Sequence, residues 1–538
     1  MLVLTIATVA GLSAALSASL APLFDPDEGY YPATAAETLR SGPFWDLRFN
    51  NAPRWDKPIL TYALIEGAFW LAGETAAAAR LPSALEGAAL VAIVGLIARR
   101  LAGGRAGGLC ALVVGSTLGV GIFSRAAHPE IGVVTSVVTT ELLLCVWLST
   151  ADRGAQRRAA LASGMAITFG VLTKGPVAVV LPGLTLCGLA LLGQVRRGGA
   201  KRLASDAVVS AAVAMALSAP WYAAMTAHHG LAFLHEAVWQ QNVGRYTTAS
   251  YGHAASALAV WIAALVGLSP WFGILPQGLR HVRLRPASPR DLLRTGMCVS
   301  ALTALVFYSL SRSKLPSYAL VSVPSLGVVV GLWLDDTFDQ PRRMRRAWIQ
   351  CGALLASLGF VLLTAHLWID RLVEPRALFG GNRPSGADSG MLLMSFTVSM
   401  GCLLLVGAAA LAFGSRPSAR TLIVAVIGAS IPVAALISAA PVLREMYPWE
   451  VVGKRVDARY GPLWLMGRRA PSLTFYARGP VRVVPDAQAL EREIHGQPRG
   501  WLVVTREEWA RLSGTFSARG SIIESRGRMV LVRIAPLQ

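Results

Sequence analysis

The stretch Asp25-Pro26-Asp27-Glu28-Gly29-Tyr30-Tyr31 sets two adjacent carboxylates just past an N-terminal apolar run. Paired acids beside a membrane span suit abstracting a proton, holding a divalent cation, or stabilising positive charge at a sugar carbon. They are also what the dipole favours at a helix start. Further on, Arg54-Trp55-Asp56-Lys57-Pro58 places a lysine before a proline that can open a helix. A lysine there could meet a phosphate together with free backbone N–H groups, or snorkel to lipid headgroups. Lys174, in Leu172-Thr173-Lys174-Gly175-Pro176, is squeezed between two apolar stretches, where a cation is costly without an anionic partner. Glu130 follows His128-Pro129 at the start of another apolar stretch, as a catalytic acid or as an ordinary helix-start acid. Residues 224–254 carry His228, His229, His235, Arg245 and His253. Their spacings do not match a helical zinc pair, so contact with headgroups or a structural role is expected for most of them. Finally, Ser311-Arg312-Ser313-Lys314-Leu315-Pro316-Ser317-Tyr318 has the composition of a phosphate clamp or of a topology signal.

Groups this far apart can act together only if the chain brings them to one side of a membrane. Of the 538 residues 54% are hydrophobic and 15% charged, and mean hydropathy is +0.51. Many apolar runs are long enough to span a bilayer, which excludes a soluble globular protein. A net charge of +20 would suit nucleic acid only if the basic residues gathered on one soluble face, and they are scattered through short loops. The six cysteines fall in or beside apolar runs with no metal-ligand spacing, and read as small buried residues. The run Leu2 to Leu23 lacks a basic leader region and is read as a retained span.

Spans are expected near 2–23, 81–98, 107–124, 130–149, 158–173, 176–193, 205–223, 255–275, 293–311, 316–334, 346–366, 391–413 and 420–440, about thirteen by hydropathy. The pair around Lys174-Gly175 reads as a tight hairpin or as one broken helix. Every second loop is short and basic, for instance Arg99, Arg100 and Arg105, or Arg280, Arg283, Arg285 and Arg290. The positive-inside rule makes those loops cytoplasmic. The alternate loops are then extracytoplasmic, and they hold every candidate named above. Within the first of them, 24–80, Tyr31 to Leu39 and Pro58 to Leu71 carry apolar residues at a helical period and predict interfacial helices. After Ala440 the chain becomes moderately polar. Strand character at 472–476, 481–484, 501–505 and 529–533, with helices over 486–494 and 507–512, predicts a small α/β domain of about 90 residues. The expected organisation is thus an all-α polytopic membrane domain, 1–440, followed by an extracytoplasmic α/β domain, 441–538.

Read in order, Asp27-Glu28-Gly29-Tyr30-Tyr31, Glu37 to Gly42, Trp55-Asp56-Lys57-Pro58-Ile59-Leu60-Thr61-Tyr62, Gly73-Glu74 and Ala79-Arg80-Leu81-Pro82-Ser83 resemble the first periplasmic loop of the ArnT-like glycosyltransferases. That family, glycosyltransferase family 83, includes the aminoarabinose transferases that modify lipid A, and is related to protein O-mannosyltransferases in the GT-C superfamily. Thr173-Lys174-Gly175, Pro220-Trp221-Tyr222, Gln241 to Tyr246, Ser269-Pro270-Trp271 and Lys314 to Tyr318 extend the match over most of the membrane region. The resemblance implies a GT-C fold in a bacterial inner membrane and a sugar donor carried on polyprenyl phosphate. It also implies a lipid, glycan or protein acceptor and an active site under the first loop. It maps an essential acid onto Asp27, an acid–lysine pair onto Asp56 and Lys57, a phosphate-binding lysine onto Lys174 and a substrate-contacting tyrosine onto Tyr318. The second acid maps onto Glu130, or onto His128 in a shifted register. Tyr30 stands where many relatives have Arg, and Glu130 where they have Asp.

The expected catalytic set is therefore Asp27, Glu28 and Glu130. Lys57, Lys174, Arg245, Arg312 and Lys314 are expected at the donor phosphate, and Asp56, Tyr30, Tyr31, His253 and Tyr318 at substrate. As the donor's phosphodiester becomes a phosphomonoester the leaving group gains negative charge, which fixed cations stabilise. No cofactor is demanded, although paired acids permit Mg²⁺ or Zn²⁺. No nucleotide-binding fingerprint occurs. A transporter or flippase of lipid-linked sugars is the rival class, and would need charges spread across the bilayer depth.

Overall fold

In the first loop the polar and apolar periods sort into helices packed over an aromatic core. After the apolar helix α1 (Leu2–Ser17) come α2 (Asp27–Ser41), a small hairpin of β1 (Arg48–Phe49) and β2 (Ala52–Pro53), and α3 (Leu60–Ala72). Tyr31, Tyr62, Phe69, Trp221, Phe233 and Phe475 share one buried cluster, so this platform is held by side chains from three distant parts of the chain. The computed structural model describes residues 1–195, 199–248, 256–372, 387–413, 417–497, 499–516 and 519–536.

The chain is a multi-pass membrane protein. Among the described residues seven helices are long and apolar enough to cross a membrane, or eight if the bent pair Ala257–Gly267 and Trp271–Leu279 is one span. Those that frame the site are α4 (Ala76–Ala102), α7 (Glu130–Ser149) and α10 (Ala200–His229), with α5 (Gly104–Gly115), α6 (Leu118–Phe123), α8 (Arg153–Lys174) and α9 (Val177–Leu191) between them. The stretch around Lys174 is two helices, broken at Gly175-Pro176. Gly175 sits at φ +101°, where a side chain would strain the backbone, and Pro176 offers no N–H to continue the helix.

Three spans differ from expectation. Helix α1 stops at Ser17 because the carbonyls of Ala18, Ala21 and Pro22 turn to the Arg80 guanidinium. The predicted span 107–124 breaks at Ser116-Thr117, and the span 255–275 bends by 99° before Trp271. The two breaks satisfy each other: Leu118 N donates to Ser269 O at 2.9 Å, and Trp271 Nε1 to Ser116 Oγ at 3.0 Å. Freed backbone groups inside a membrane need such partners.

Toward the C-terminus, after the helix Pro417–Met446, strands β3 (Leu463–Met466), β4 (Val481–Val484), β5 (Gly500–Thr505), β6 (Gly520–Arg526) and β7 (Met529–Ile534) form a mixed sheet in the order β4-β3-β5-β7-β6. β3 runs parallel to β4 and β5, while β7 is antiparallel to β5 and β6. Helices Ala487–Gly496 and Arg506–Phe516 lie between strands, the former capped by Asp486. Residues 472–476, read from their composition as a strand, belong instead to a helix, Pro471–Ala477. Proline at its first turn starts it, and its buried Leu473 and Phe475 pack inward.

Candidate active site

The first-loop helices and the starts of α7 and α9 converge on one cavity of about 330 Å³. Asp27, Lys57, His128, Glu130, Lys174 and Arg245 supply its charged and polar lining, and Val177, Val180, Val238, Phe307 and Leu315 its apolar wall. Three of these groups sit at helix ends set by proline or glycine. Pro26 precedes α2 with Asp27 as its first residue, Pro129 precedes α7 with Glu130 first, and Lys174 closes α8 at Gly175.

Successive helical residues point about 100° apart, and Asp27 and Glu28 accordingly have different surroundings. Asp27 is exposed to the cavity, and its carboxylate makes no hydrogen bond or ion pair among the described residues. Glu28 turns into the protein, 7% exposed. There Arg80 Nε and Nη2 donate to it at 2.6 and 2.8 Å, and the N–H groups of Phe24 and Ala127 at 2.9 Å each. Burial opposes its charge, but Arg80 and the two N–H groups outweigh burial and hold the carboxyl below its usual range. A carboxylate so occupied has no lone pair left for substrate. Glu28 is therefore a positioning residue, which replaces the catalytic role expected from sequence.

Lys174 Nζ donates to Glu130 Oε2 at 2.5 Å and lies 5.1 Å from the centre of the Tyr318 ring. Ser317 Oγ donates to the other Glu130 oxygen at 3.2 Å, and Tyr308 stacks on Tyr318 at 4.7 Å. Lys57 donates to the Asp56 backbone carbonyl at 2.7 Å. Burial pushes the Lys57 ammonium down to about 8 against the pull of Asp56, with Arg245 and Lys174 adding to the fall. The Asp56 carboxylate is held behind the cavity by Arg54 Nη2 at 2.6 Å and Tyr62 Oη at 3.2 Å. Burial pushes His128 below its ordinary value, and its Nδ1 is buried without a hydrogen-bond partner. The cavity thus joins one unpaired carboxylate to three cations at the rim of an apolar wall.

Residues 56–223 match the family model for dolichyl-phosphate-mannose-protein mannosyltransferase. The chain is similar to the undecaprenyl phosphate-alpha-4-amino-4-deoxy-L-arabinose arabinosyl transferase of Yersinia enterocolitica, 26% identical over 360 residues that cover 65% of this chain and 63% of the relative. It is similar to enzyme 2 of that name from Pseudomonas fluorescens, 27% identical over 423 residues, 76% of this chain and 68% of the relative. The fold is that of the crystal structure of ArnT from Cupriavidus metallidurans bound to undecaprenyl phosphate, with a TM-score of 0.81 at 21% identity over 99% of both chains. The chain is similar to the ArnT proteins in sequence and shares their fold. Its matched region spans a little under two thirds of the length of the first such relative, 63%.

Of the residues expected at the site, Asp27, Tyr31, Lys57, Glu130, Lys174, Arg245 and Tyr318 line the cavity. Asp56 lies just behind it. Tyr30 also lies behind, since its ring carries the Arg54 guanidinium at 4.0 Å, so this tyrosine holds Arg54 where substrate contact was expected. Arg312 and Lys314 do not line the cavity. Arg312 is exposed and ties the turn through its backbone N–H to Tyr246 O at 2.9 Å, and Lys314 Nζ caps Ser311 O at 2.5 Å. His253 lies outside the described residues. Sequence reasoning missed Arg54 and Arg80, whose side chains fix Asp56 and Glu28. Arg80 stands inside a motif that carried the resemblance and Arg54 just before another, but neither a separation of 2 residues from Asp56 nor one of 52 from Glu28 reveals the pairing.

Proposed function

We propose that this chain is a membrane glycosyltransferase that moves a sugar from a polyprenyl-phosphate donor to a lipid, glycan or protein acceptor by a single inverting displacement. The observation that carries this reading is the unpaired Asp27 carboxylate facing Lys57, Lys174 and Arg245 in a cavity with an apolar wall. The prenyl chain suits Val177, Val180 and Leu315, and the phosphate suits the cations. An acceptor hydroxyl attacks the anomeric carbon while the carbon–oxygen bond to phosphate breaks. Its proton passes to Asp27, and the electron pair leaves with the polyprenyl phosphate, whose second negative charge Lys57 and Lys174 stabilise. Were the acceptor a phosphate, already anionic, Asp27 would orient it. Glu130 holds the Lys174 ammonium toward the leaving group. In this reading side chains supply the positive charge at the leaving phosphate.

The curated relatives' donor, undecaprenyl phosphate carrying aminoarabinose, gives the donor class, and modification of lipid A is the context this implies. We read α1, α4, α5 with α6, α7, α8, α9, α10, the bent pair and the further helices Pro289–Leu310, Ser322–Thr337, Pro341–Leu372, Ala387–Phe413 and Pro417–Met446 as thirteen spans in a bacterial inner membrane. The cavity and residues 441–538 then lie outside the cytoplasm. The test is sugar transfer from undecaprenyl-phosphate donors in proteoliposomes. Asp27→Asn is expected to lower turnover by about 10²- to 10⁴-fold, the range of a lost general base, with insertion intact. Turnover within about threefold of the parent would overturn the reading.

A further inference from the structure

Outside the cavity, a second cluster of metal-ligating side chains forms where the first loop meets the end of α10. Asp46 is 2% exposed in a turn closed by its own N–H to Pro43 O at 3.0 Å. Its Oδ1 lies 2.7 Å from His229 Nε2, and its Oδ2 accepts from Arg48 Nε at 3.2 Å. His228 and His229 are the last residues of α10, which Gly230 terminates at φ +71°. One ligand atom from each of Asp46, His228 and His229 lies within 4.8 Å of the other two. His228 makes no hydrogen bond among the described residues. Its ring stands edge-on to Trp45 at 5.5 Å, and Trp55 packs on His229 at 5.1 Å.

Two imidazole nitrogens and one carboxylate oxygen, with a fourth position open to water, are a zinc-type donor set. Calcium or magnesium would call for oxygen ligands throughout. Zinc–nitrogen bonds of about 2.0–2.1 Å place ligand atoms roughly 3.3 Å apart in a tetrahedron. His229 and Asp46, at 2.7 Å, need only part by roughly 0.6 Å, and the exposed His228 ring must swing inward. Adjacent histidines alone carry no zinc signal, and the carboxylate that completes the set comes from a distant loop. We propose that Asp46, His228 and His229 form a divalent transition-metal site that fastens the loop bearing Arg54, Asp56 and Lys57 to the end of α10. Because Trp55 rests on His229, the metal holds the adjacent Asp56 and Lys57 in register with the cavity.

The experiment uses the full-length, tag-free protein in detergent, stripped with a chelator and titrated with Co²⁺, then with Zn²⁺ as competitor. The parent is expected to bind one equivalent of Co²⁺ with visible d–d bands that Zn²⁺ displaces, and Zn²⁺ is expected to raise its melting midpoint. His228→Gln, at an exposed position, is expected to keep the parent's metal-free midpoint, bind about 100-fold more weakly and lose the Zn²⁺-dependent rise. Asp46→Asn is expected to lose the bands as well. No stoichiometric binding by the parent, or affinity in His228→Gln within about threefold of the parent, overturns the proposal.

Discussion

Replacing Arg80 with leucine strips five hydrogen bonds from the root of the first loop, two to Glu28 and one each to the carbonyls of Ala18, Ala21 and Pro22. Glu28 is left charged, buried and held by two backbone N–H groups. Breaking one partner of a buried ion pair costs about 3–5 kcal/mol, equivalent to a rise of about 150- to 5,000-fold in local opening. The N–H groups of Phe24 and Ala127 donate directly to Glu28. Their hydrogen exchange, read by mass spectrometry in nanodiscs, therefore reports the loss at its source. Adding Glu28→Gln removes the uncompensated charge and keeps an acceptor oxygen, so the double variant should exchange at least about tenfold more slowly than Arg80→Leu. Transfer activity should recover with it, because Glu28 positions α2 and does not touch substrate. The reasoning fails if exchange at Phe24 and Ala127 changes by less than about threefold in Arg80→Leu. It fails equally if the double variant regains protection but no turnover, since that would give Glu28 a chemical role.

Two further outcomes depend on pH. Burial sets the Lys57 ammonium near 8. A phosphate needs the charged form, so affinity for undecaprenyl phosphate should fall by up to about tenfold per pH unit above about 8, a slope that calorimetry should find absent in Lys57→Met. Asp25 is 6% exposed and accepts from Ser472 N at 2.9 Å and Ser472 Oγ at 2.6 Å. Burial raises it to about 7. The folded state then holds a proton that the unfolded chain releases near 4, so Asp25 should contribute less to stability as pH rises from about 4 to 7. The difference in melting midpoint between the parent and Asp25→Asn, followed across that window, checks the sign. A difference that grows in the parent's favour with pH would contradict it.

What could be read from the sequence was what hydropathy, helical period and punctuation encode. Alternating apolar runs marked a multi-pass protein, and the acids Asp27 and Glu130 read as helix-start residues, where the structure has them. Long-range pairing was not legible. Nothing near Asp25 announces Ser472, and nothing near Glu28 separates an acid held by Arg80 from one free to react, as its neighbour Asp27 is. The basic turn at Arg312 and Lys314 has the right composition for a phosphate clamp, yet its groups serve the turn itself. Residues 472–476 misled for a related reason: their aromatic and β-branched content favours a strand, but Pro471 and packing in the apolar core overrode that preference.

The central claim is that Lys57, Lys174 and Arg245, although distant in the chain, form one phosphate site beside an apolar wall. Its most direct test is native mass spectrometry of the purified protein with undecaprenyl phosphate and, in parallel, undecaprenol. The account predicts that the parent retains the phosphate far better than the alcohol, and that Lys57→Met with Lys174→Met lowers phosphate affinity by about 100-fold or more, at about 1.5–3 kcal/mol per charged hydrogen bond, while leaving the alcohol unaffected. Equal retention of both lipids by the parent, or unchanged phosphate binding by the double variant, would contradict it.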